Sequence, residues 1–521
     1  MHVTHPLIRN GAVEEREYQT ALARICAKES ALVVIPTGMG KTIVALRTIA
    51  EVLHEKGGRA LVLAPTKPLV EQHRDVLQDL LPNVKVGSMT GETAPDKRAA
   101  AWESNQVVIC TPQATANDLD RGRYGLDDVS IIVYDEAHRG VGNYAYVRVA
   151  EHWAGKTGLS MGITASPGSD AKRIMEVCEN LRLFRIEVRT EEDPDVAPYI
   201  HSIDMKTVTV HIPEELGTII DELRGMLDKY LDELVGLRMI EDRRNASAKR
   251  LLAVGRMLQA RAAHEKGSYT VFRGLTVQAI AMKLLHAIGL AETQGTTPLT
   301  RFLDRLEDEK ASDDASRATR ELLANPGYDR LRERLAKTNA EHPKVSRVMT
   351  LVSRQLDDSP ESRVLVFTHY RDTCEMVADK LSRIQSAKVG RLIGQAGTDG
   401  LKQKGQAEVL RRFRDGDVNV LVATSVGEEG LDVANTDMVL FYEPVPSEIR
   451  SIQRRGRTGR FKDGVVQVLV AVGTRDEAFQ NSSLSKERRM KKRLEELDRE
   501  LRARRQMEES IRSQSSLSRF A

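Results

Sequence analysis

Eight short aliphatic runs, each separated from the next by a longer segment, constrain this chain more than any other feature. Four lie between about 20 and 190: ALVVIP (31–36), ALVLAP (60–65), QVVICTP (106–112) and SIIVYDEAH (130–138). A strand with one wet face alternates apolar and polar residues, whereas a strand covered on both faces has no reason to. Such runs joined by helix-length segments therefore predict a parallel sheet with helices on both sides. The pattern resumes at RVLVFTHY (363–370), NVLVAT (419–424), DMVLFYEP (437–444) and VVQVLVAV (465–472). The fold class is thus α/β, with one such domain at 1–213 and a second at 341–480. Between them, LRGMLDKYLDELVGLRMI and KRLLAVGRMLQARAAH place Leu, Met and Ala three and four apart among charges, which predicts an all-α insert at 214–340. Residues 481–521 predict a charged helical tail with a Ser-rich end.

The composition, 41% hydrophobic and 29% charged with only 4% aromatic, fits a soluble globular protein with a mainly aliphatic core. The four cysteines, Cys26, Cys110, Cys178 and Cys374, have neither zinc-site spacing nor a disulfide framework, so a reducing interior is expected. The first residues lack a basic stretch followed by an apolar run, and no eighteen consecutive residues are apolar. No membrane partner and a cytoplasmic, nucleoid-associated location are the expectation. The net charge of +3 conceals local excesses. Residues 481–521 carry 12 Lys/Arg against 7 Asp/Glu, and residues 241–290 carry 9 Lys/Arg against Glu241, Asp242 and Glu265. Local fields are what a polyanion meets.

In IPTGMGKT (35–42) a predicted strand runs into a glycine-bearing turn and then a helical pattern. Pro36, Thr37, Gly38, Met39 and Gly40 would wrap backbone N–H groups around phosphate at a helix N-terminus. Lys41 would reach the β- and γ-phosphates, and Thr42 would ligate Mg²⁺. The strict phosphate-loop pattern has glycine where Ile35 stands, so a chance turn is the competing reading. In IIVYDEAH a buried strand delivers Asp135 to hold Mg²⁺ and Glu136 to activate the attacking water. An isolated acidic pair more often marks a solvated loop. Here it follows a phosphate loop by about 95 residues within one α/β unit, which favours a shared site. In the second domain SIQRRGRTGR (451–460) holds Gln453, Arg457 and Arg460. On its own it reads as a basic surface loop; paired with a phosphate loop it supplies arginines for γ-phosphate charge, an effect of ~10³ to 10⁵ in rate.

These motifs stand in a recognisable order: Glu17-Tyr18-Gln19, IPTGMGKT, LAPTKPLVEQH (63–73), CTPQ (110–113), DEAH, TASPG (164–168), VFTHYRDT (366–373), TSVGEEGLDV (424–433) and QRRGRTGR. Over roughly 16–480 the chain resembles the superfamily 2 helicases. The resemblance implies two RecA-like domains with ATP and Mg²⁺ as cofactors. It further implies Gln19 on the adenine, Gly430 and Asp432 at the nucleotide cleft, and Arg457 and Arg460 on the γ-phosphate. Thr164 and Ser166 would couple ATP state to movement, and Lys67, Thr111, Thr368 and Thr424 would line the nucleic-acid backbone.

The helical insert and DEAHRGVGNYAYV (135–147) are most similar to the archaeal Hef/FANCM group. That similarity implies forked or branched DNA as partner and fork repair as role. RIG-I and Dicer relatives have a comparable insert and act on duplex RNA, so an RNA-activated ATPase or RNA helicase stays open. So does a motor subunit that positions a separate nuclease, because the ERK motif of an XPF-type nuclease is absent. Within the insert, Arg243, Arg250 and Arg261 would fall within about 20° on one continuous helix, as a phosphate-gripping stripe or as a solvated face. Gln514, Leu517 and Phe520 are spaced like a sliding-clamp peptide, although Ala521 replaces the second aromatic and accidental spacing in a tail is the alternative.

Overall fold

A computed structural model of the chain describes residues 2–199, 203–265, 267–311, 315–338, 340–394, 403–424, 436–445 and 464–517. The first sheet comprises β1 (Ala31–Val34), β2 (Arg59–Leu63), β3 (Val86–Met89), β4 (Val107–Cys110), β5 (Val129–Asp135), β6 (Leu159–Thr164) and β7 (Arg185–Val188). Its order is β3-β4-β2-β5-β6-β1-β7, with every pairing parallel. On one face lie α1 (Glu17–Cys26), α2 (Lys41–Lys56) and α3 (Lys67–Leu80). On the other lie α4 (Pro95–Ser104), α5 (Pro112–Asp120), α6 (Ala145–Trp153) and α7 (Ala171–Asn180). Neighbouring residues such as Leu32 and Val33 feed different cores, so both faces of the strand must be apolar. All carboxyl ends meet at one edge, where open parallel sheets bind ligands.

The insert consists of α8 (Glu214–Gly236), α9 (Ala248–His264), α10 (Tyr269–Thr293), α11 (Thr296–Ala311), α12 (Arg317–Leu323) and α13 (Pro326–Lys337). Helix α10 is long and apolar enough to cross a membrane, but 67% of its apolar window is buried as the core helix of this bundle. Arg273 clamps it to α8 and α12 through Glu233 and Glu321.

The second sheet adds α14 (Pro343–Asp358), α15 (Arg371–Leu381) and α16 (Gln403–Asp415) around β9 (Val364–Phe367), β10 (Val389–Leu392), β11 (Val420–Ala423), β12 (Met438–Phe441) and β13 (Gly464–Ala471). Its order is β10-β11-β9-β12-β13-β8, again parallel. The edge strand β8 (Ile203–Val210) corrects the expected division at 213, because it pairs with β13 along its whole length and so belongs to the second sheet. Its alternating sequence, IDMKTVTV, suits an edge and, like VGSM of β3, RIEV of β7 and VGRL of β10, lacks the aliphatic run that marks the central strands of this sheet.

A buried polar knot fastens the insert to the second sheet. Lys344 and Asp476, 0% and 1% exposed, form an ion pair, and the Lys344 ammonium also donates to the Thr293 carbonyl and lies over Tyr442. His342 caps α14 by accepting the Lys344 N–H at Nδ1, so its proton sits on Nε2 and is donated to the Glu292 carbonyl at 3.1 Å. Burial, then the neighbouring Lys344 charge, push the His342 pKa down to about 3. The unfolded chain binds this proton below an ordinary value of 6.5, while the folded chain refuses it until about 3. Stability from His342 is therefore complete above that upper value and is lost as pH falls through the window. His342→Asn keeps a capping acceptor without the titration; urea midpoints measured from pH 7 to 4 should fall less steeply for it than for the wild type.

The charged tail is helical as expected but does not stand free. Helix α17 (Arg475–Leu517) leaves the second sheet and crosses to the first. Met490, Leu494, Leu497 and Leu501, spaced 4, 3 and 4 apart, enter the core formed by α7 and β7. Asp498 accepts the Ile186 N–H at 2.8 Å, covering a backbone donor of edge strand β7. Lys491 reaches Asp193 and Thr190, and Arg505 pairs with Glu29. One rigid helix thus joins the two sheets.

Candidate nucleotide site and nucleic-acid edge

Strand β1 ends beside β6, with the Ile35 N–H donating to the Thr164 carbonyl. The chain then turns through Gly38 and Gly40 at φ +90° and +74°, and α2 begins at Lys41. Side chains rarely adopt such angles, and a Cβ on Gly40 would also lie 2.5 Å from the Gln19 amide nitrogen. Gln19 and Tyr18 brace the loop from α1: both donate to the Met39 carbonyl, at 3.2 and 2.8 Å. In this structure Gln19 therefore acts on the loop backbone. The N-terminus of α2, where unpaired N–H groups favour an anion, points into the turn from which Lys41 projects.

At the end of β5, Asp135 and Glu136 are both nearly buried. Lys41 Nζ lies 3.3 Å from Glu136 Oε1, which brings the two motifs together as the sequence predicts. Glu136 adopts φ +49°, a left-handed conformation costing roughly 1–3 kcal/mol for a side chain with a Cβ. Asp135 Oδ1 accepts its N–H at 3.0 Å. Burial opposes ionisation of Glu136, but the Lys41 charge and His138 outweigh it and hold the carboxyl well below its ordinary range. Glu136 is therefore a carboxylate at working pH.

Thr164 and Ser166 connect to this pair through His138, whose Nδ1 lies 3.4 Å from Glu136 Oε2. Thr164 Oγ1 donates to the Ser166 carbonyl, so His138 Nδ1, 3.0 Å away, must supply the proton in their mutual bond. Ser166 Oγ in turn donates to Met490 Sδ at 3.1 Å. The chain of contacts from Glu136 through His138, Thr164 and Ser166 ends on α17. A second unforeseen contact is His73 Nε2 on Asp135 Oδ2 at 2.9 Å. Tyr146, from GNYAYV, is fully buried and donates to the Leu63 carbonyl at 3.0 Å, so this part of the segment shapes the core.

Lys67 and Thr111 begin α3 and α5 at the carboxyl edge of the first sheet, both partly exposed, and Lys67 pairs with Glu92. Thr368 and Thr424 follow β9 and β11 side by side at the corresponding edge of the second sheet, where the Thr368 N–H donates to the Ala423 carbonyl. Both of those threonine side chains are buried. The proposed arginine stripe is corrected. Arg243 lies in a 3-10 turn (Arg243–Asn245) outside α9, and Arg243, Arg250 and Arg261 are each engaged by Asp232, Glu241 and Glu265. Lys249 and Arg256, seven residues apart on α9, are exposed and form no ion pair among the described residues, as is also true of Arg244. Gly430, Asp432, Gln453, Arg457, Arg460 and Phe520 lie outside the described residues, as do the side chains of Gln514 and Leu517. All four cysteines are buried and free, and no cluster of metal-ligating residues occurs among the described residues.

A phosphate loop facing an acidic strand end, on a parallel sheet joined to a second one, defines an ATP-hydrolysing helicase of the DEAD/DEAH-box class. Family models agree: DEAD/DEAH box helicase over 16–174, helicase conserved C-terminal domain over 343–462, and an ATP-dependent RNA helicase helical bundle over 215–342. The crystal structure of the Pyrococcus furiosus Hef helicase domain superimposes with a TM-score of 0.70 at 40% identity, covering 92% of this chain and all of that one. The chain belongs to the Hef/FANCM group of these helicases. It is 37% identical over 502 residues to a Methanocaldococcus jannaschii protein provisionally named an ATP-dependent RNA helicase, covering 95% of this chain and 63% of that protein. It is 31% identical over 488 residues to the ATP-dependent DNA helicase mph1 of Neurospora crassa, covering 89% of this chain and 41% of that one. The chain thus spans 63% and 41% of the length of these two curated relatives.

Proposed function

We propose that this chain is an ATP- and Mg²⁺-driven DNA helicase or translocase that unwinds or branch-migrates forked and junction DNA in fork repair. The observation that carries this reading is the joining of Lys41 and Glu136 in one site on a sheet whose carboxyl edge also presents Lys67 and Thr111. Thr42 and Asp135 offer hard oxygen donors of the kind Mg²⁺ prefers, beside the turn that would hold the phosphates. Bound there, Mg²⁺ would neutralise charge between the β- and γ-phosphates. Glu136 would take the proton of the attacking water, and Arg457 and Arg460 would approach from the second domain. Repeated closing and opening around ATP would ratchet a strand held across both edges.

The insert supports a branched partner. Among the described residues, four of the six exposed large apolar side chains, Leu252, Met257, Tyr269 and Phe272, lie on the α9–α10 hairpin, with Arg244, Lys249 and Arg256 nearby in sequence. Aromatic faces stack on unpaired bases while cations meet phosphates, and unpaired bases occur at forks. A sliding clamp bound through Gln514, Leu517 and Phe520, and a separate nuclease, would be partners in the same repair reading. The RNA-helicase descriptions of the bundle and of the M. jannaschii relative favour a second reading, activation by duplex RNA.

Steady-state ATPase rates with no nucleic acid, single-stranded DNA, forked DNA, a four-way junction and duplex RNA, all at one salt concentration, separate the two. Highest stimulation by fork or junction is expected. Highest stimulation by duplex RNA would replace the DNA assignment.

A further inference from the structure

The least expected contact in the motor lies between α3 and β5. His73 and Asp135 are 62 residues apart in sequence, yet both are buried and their side chains meet at 2.9 Å. A carboxylate can only accept, so Nε2 of His73 carries the proton and donates it. Asp135 Oδ1 is already engaged by the Glu136 N–H, so the two bonds together fix the carboxylate in one orientation. His73 also lines the small cavity bounded by Lys41, Thr42 and Asp135. Its own helix begins at Lys67, on the edge where a strand would be held. Six residues at about 1.5 Å each separate the two, so roughly 9 Å of continuous helix links them.

We propose that His73 is a positioning residue for Asp135, and that α3 thereby links strand engagement at Lys67 to the orientation of the metal-holding carboxylate. This rests on the motor reading above. An outer partner of a metal ligand fixes that ligand's geometry, and its loss commonly costs about 10- to 100-fold in metal affinity or activity. Because α3 carries both residues, a phosphate that holds Lys67 also holds the helix from which His73 braces Asp135. The consequence is a site that holds Mg²⁺·nucleotide most firmly when a strand is bound.

The test measures binding of a fluorescent ATP analogue as Mg²⁺ is titrated, with and without forked DNA, in the wild type, His73→Ala and His73→Gln. The Gln amide reaches the same acceptor as Nε2. The Ala variant should need about tenfold or more Mg²⁺ for half-maximal binding and should lose the tightening produced by DNA, while the Gln variant recovers most of both. Unchanged Mg²⁺ dependence in His73→Ala, or a Gln variant as impaired as Ala with a wild-type melting profile, would overturn the proposal. A wild-type protein whose ATPase responds to no nucleic acid would instead refute the motor reading, which keeps the two failures distinct.

Discussion

Replacing Glu136 by Gln should slow ATP turnover by about 10²- to 10⁴-fold, the usual contribution of a positioned general base, while leaving nucleotide binding close to wild type. The substitution preserves shape, so the left-handed backbone at this position and the Asp135 bond to its N–H can persist. What it removes is the negative charge that Lys41 and His138 stabilise against burial. In this structure Lys41 rests on Glu136. Once phosphates draw Lys41 away, the carboxylate is left facing the water it must deprotonate. Turnover is read by phosphate release, and binding by fluorescence of a labelled nucleotide. A Gln variant that turns over within a few-fold of wild type would remove Glu136 from the chemistry and leave Asp135 as the acting carboxylate of this strand end.

Leu494→Asp should release α17 from the first domain. Leu494 is fully buried beside Met490, Leu497 and Leu501. Truncating such a leucine to Ala alone costs roughly 2–5 kcal/mol, and an unpaired carboxylate in the same apolar seam adds the cost of burying charge. The individual domains keep their sheets, so the seam itself should open. Hydrogen exchange across 486–505 and at Ile186 N–H, now held by Asp498, should rise by orders of magnitude while the β5 amides stay protected. Met490 would leave Ser166, so the variant should also hydrolyse ATP with weaker coupling to strand displacement. Protection of 486–505 unchanged from wild type would show that the ion pairs of Lys491 and Arg505 hold the helix without its apolar stripe.

Much of the fold could be read from the sequence because burial on both faces leaves a local mark. A strand such as Ala31–Val34 must be aliphatic throughout, and the turn after it must contain glycine where φ is positive. The joining of Lys41 to Glu136 was legible for the same reason, since both follow recognisable strand ends. Strand β8 was not, because an edge strand keeps its polar alternation and nothing local says which sheet it will extend. The arginine stripe failed at Ser247, the N-cap of α9, whose side chain accepts the Arg250 N–H and so starts the helix after Arg243. For α17 the signal was present in the 4, 3, 4 spacing of Met490, Leu494, Leu497 and Leu501, but the surrounding charges obscured it.

By itself, then, the sequence determined the two parallel sheets, the helical insert and the phosphate loop with its acidic partner, because periodicity and turn chemistry are local properties of the chain. Only the tertiary structure decided that His73 would hold Asp135, that Lys344 and Asp476 would be buried together, and that a charged tail would return to the first sheet and touch Ser166. Those contacts join residues from 62 to 324 positions apart. Their partners are chosen by how the helices pack on the sheets, and no local pattern records that choice.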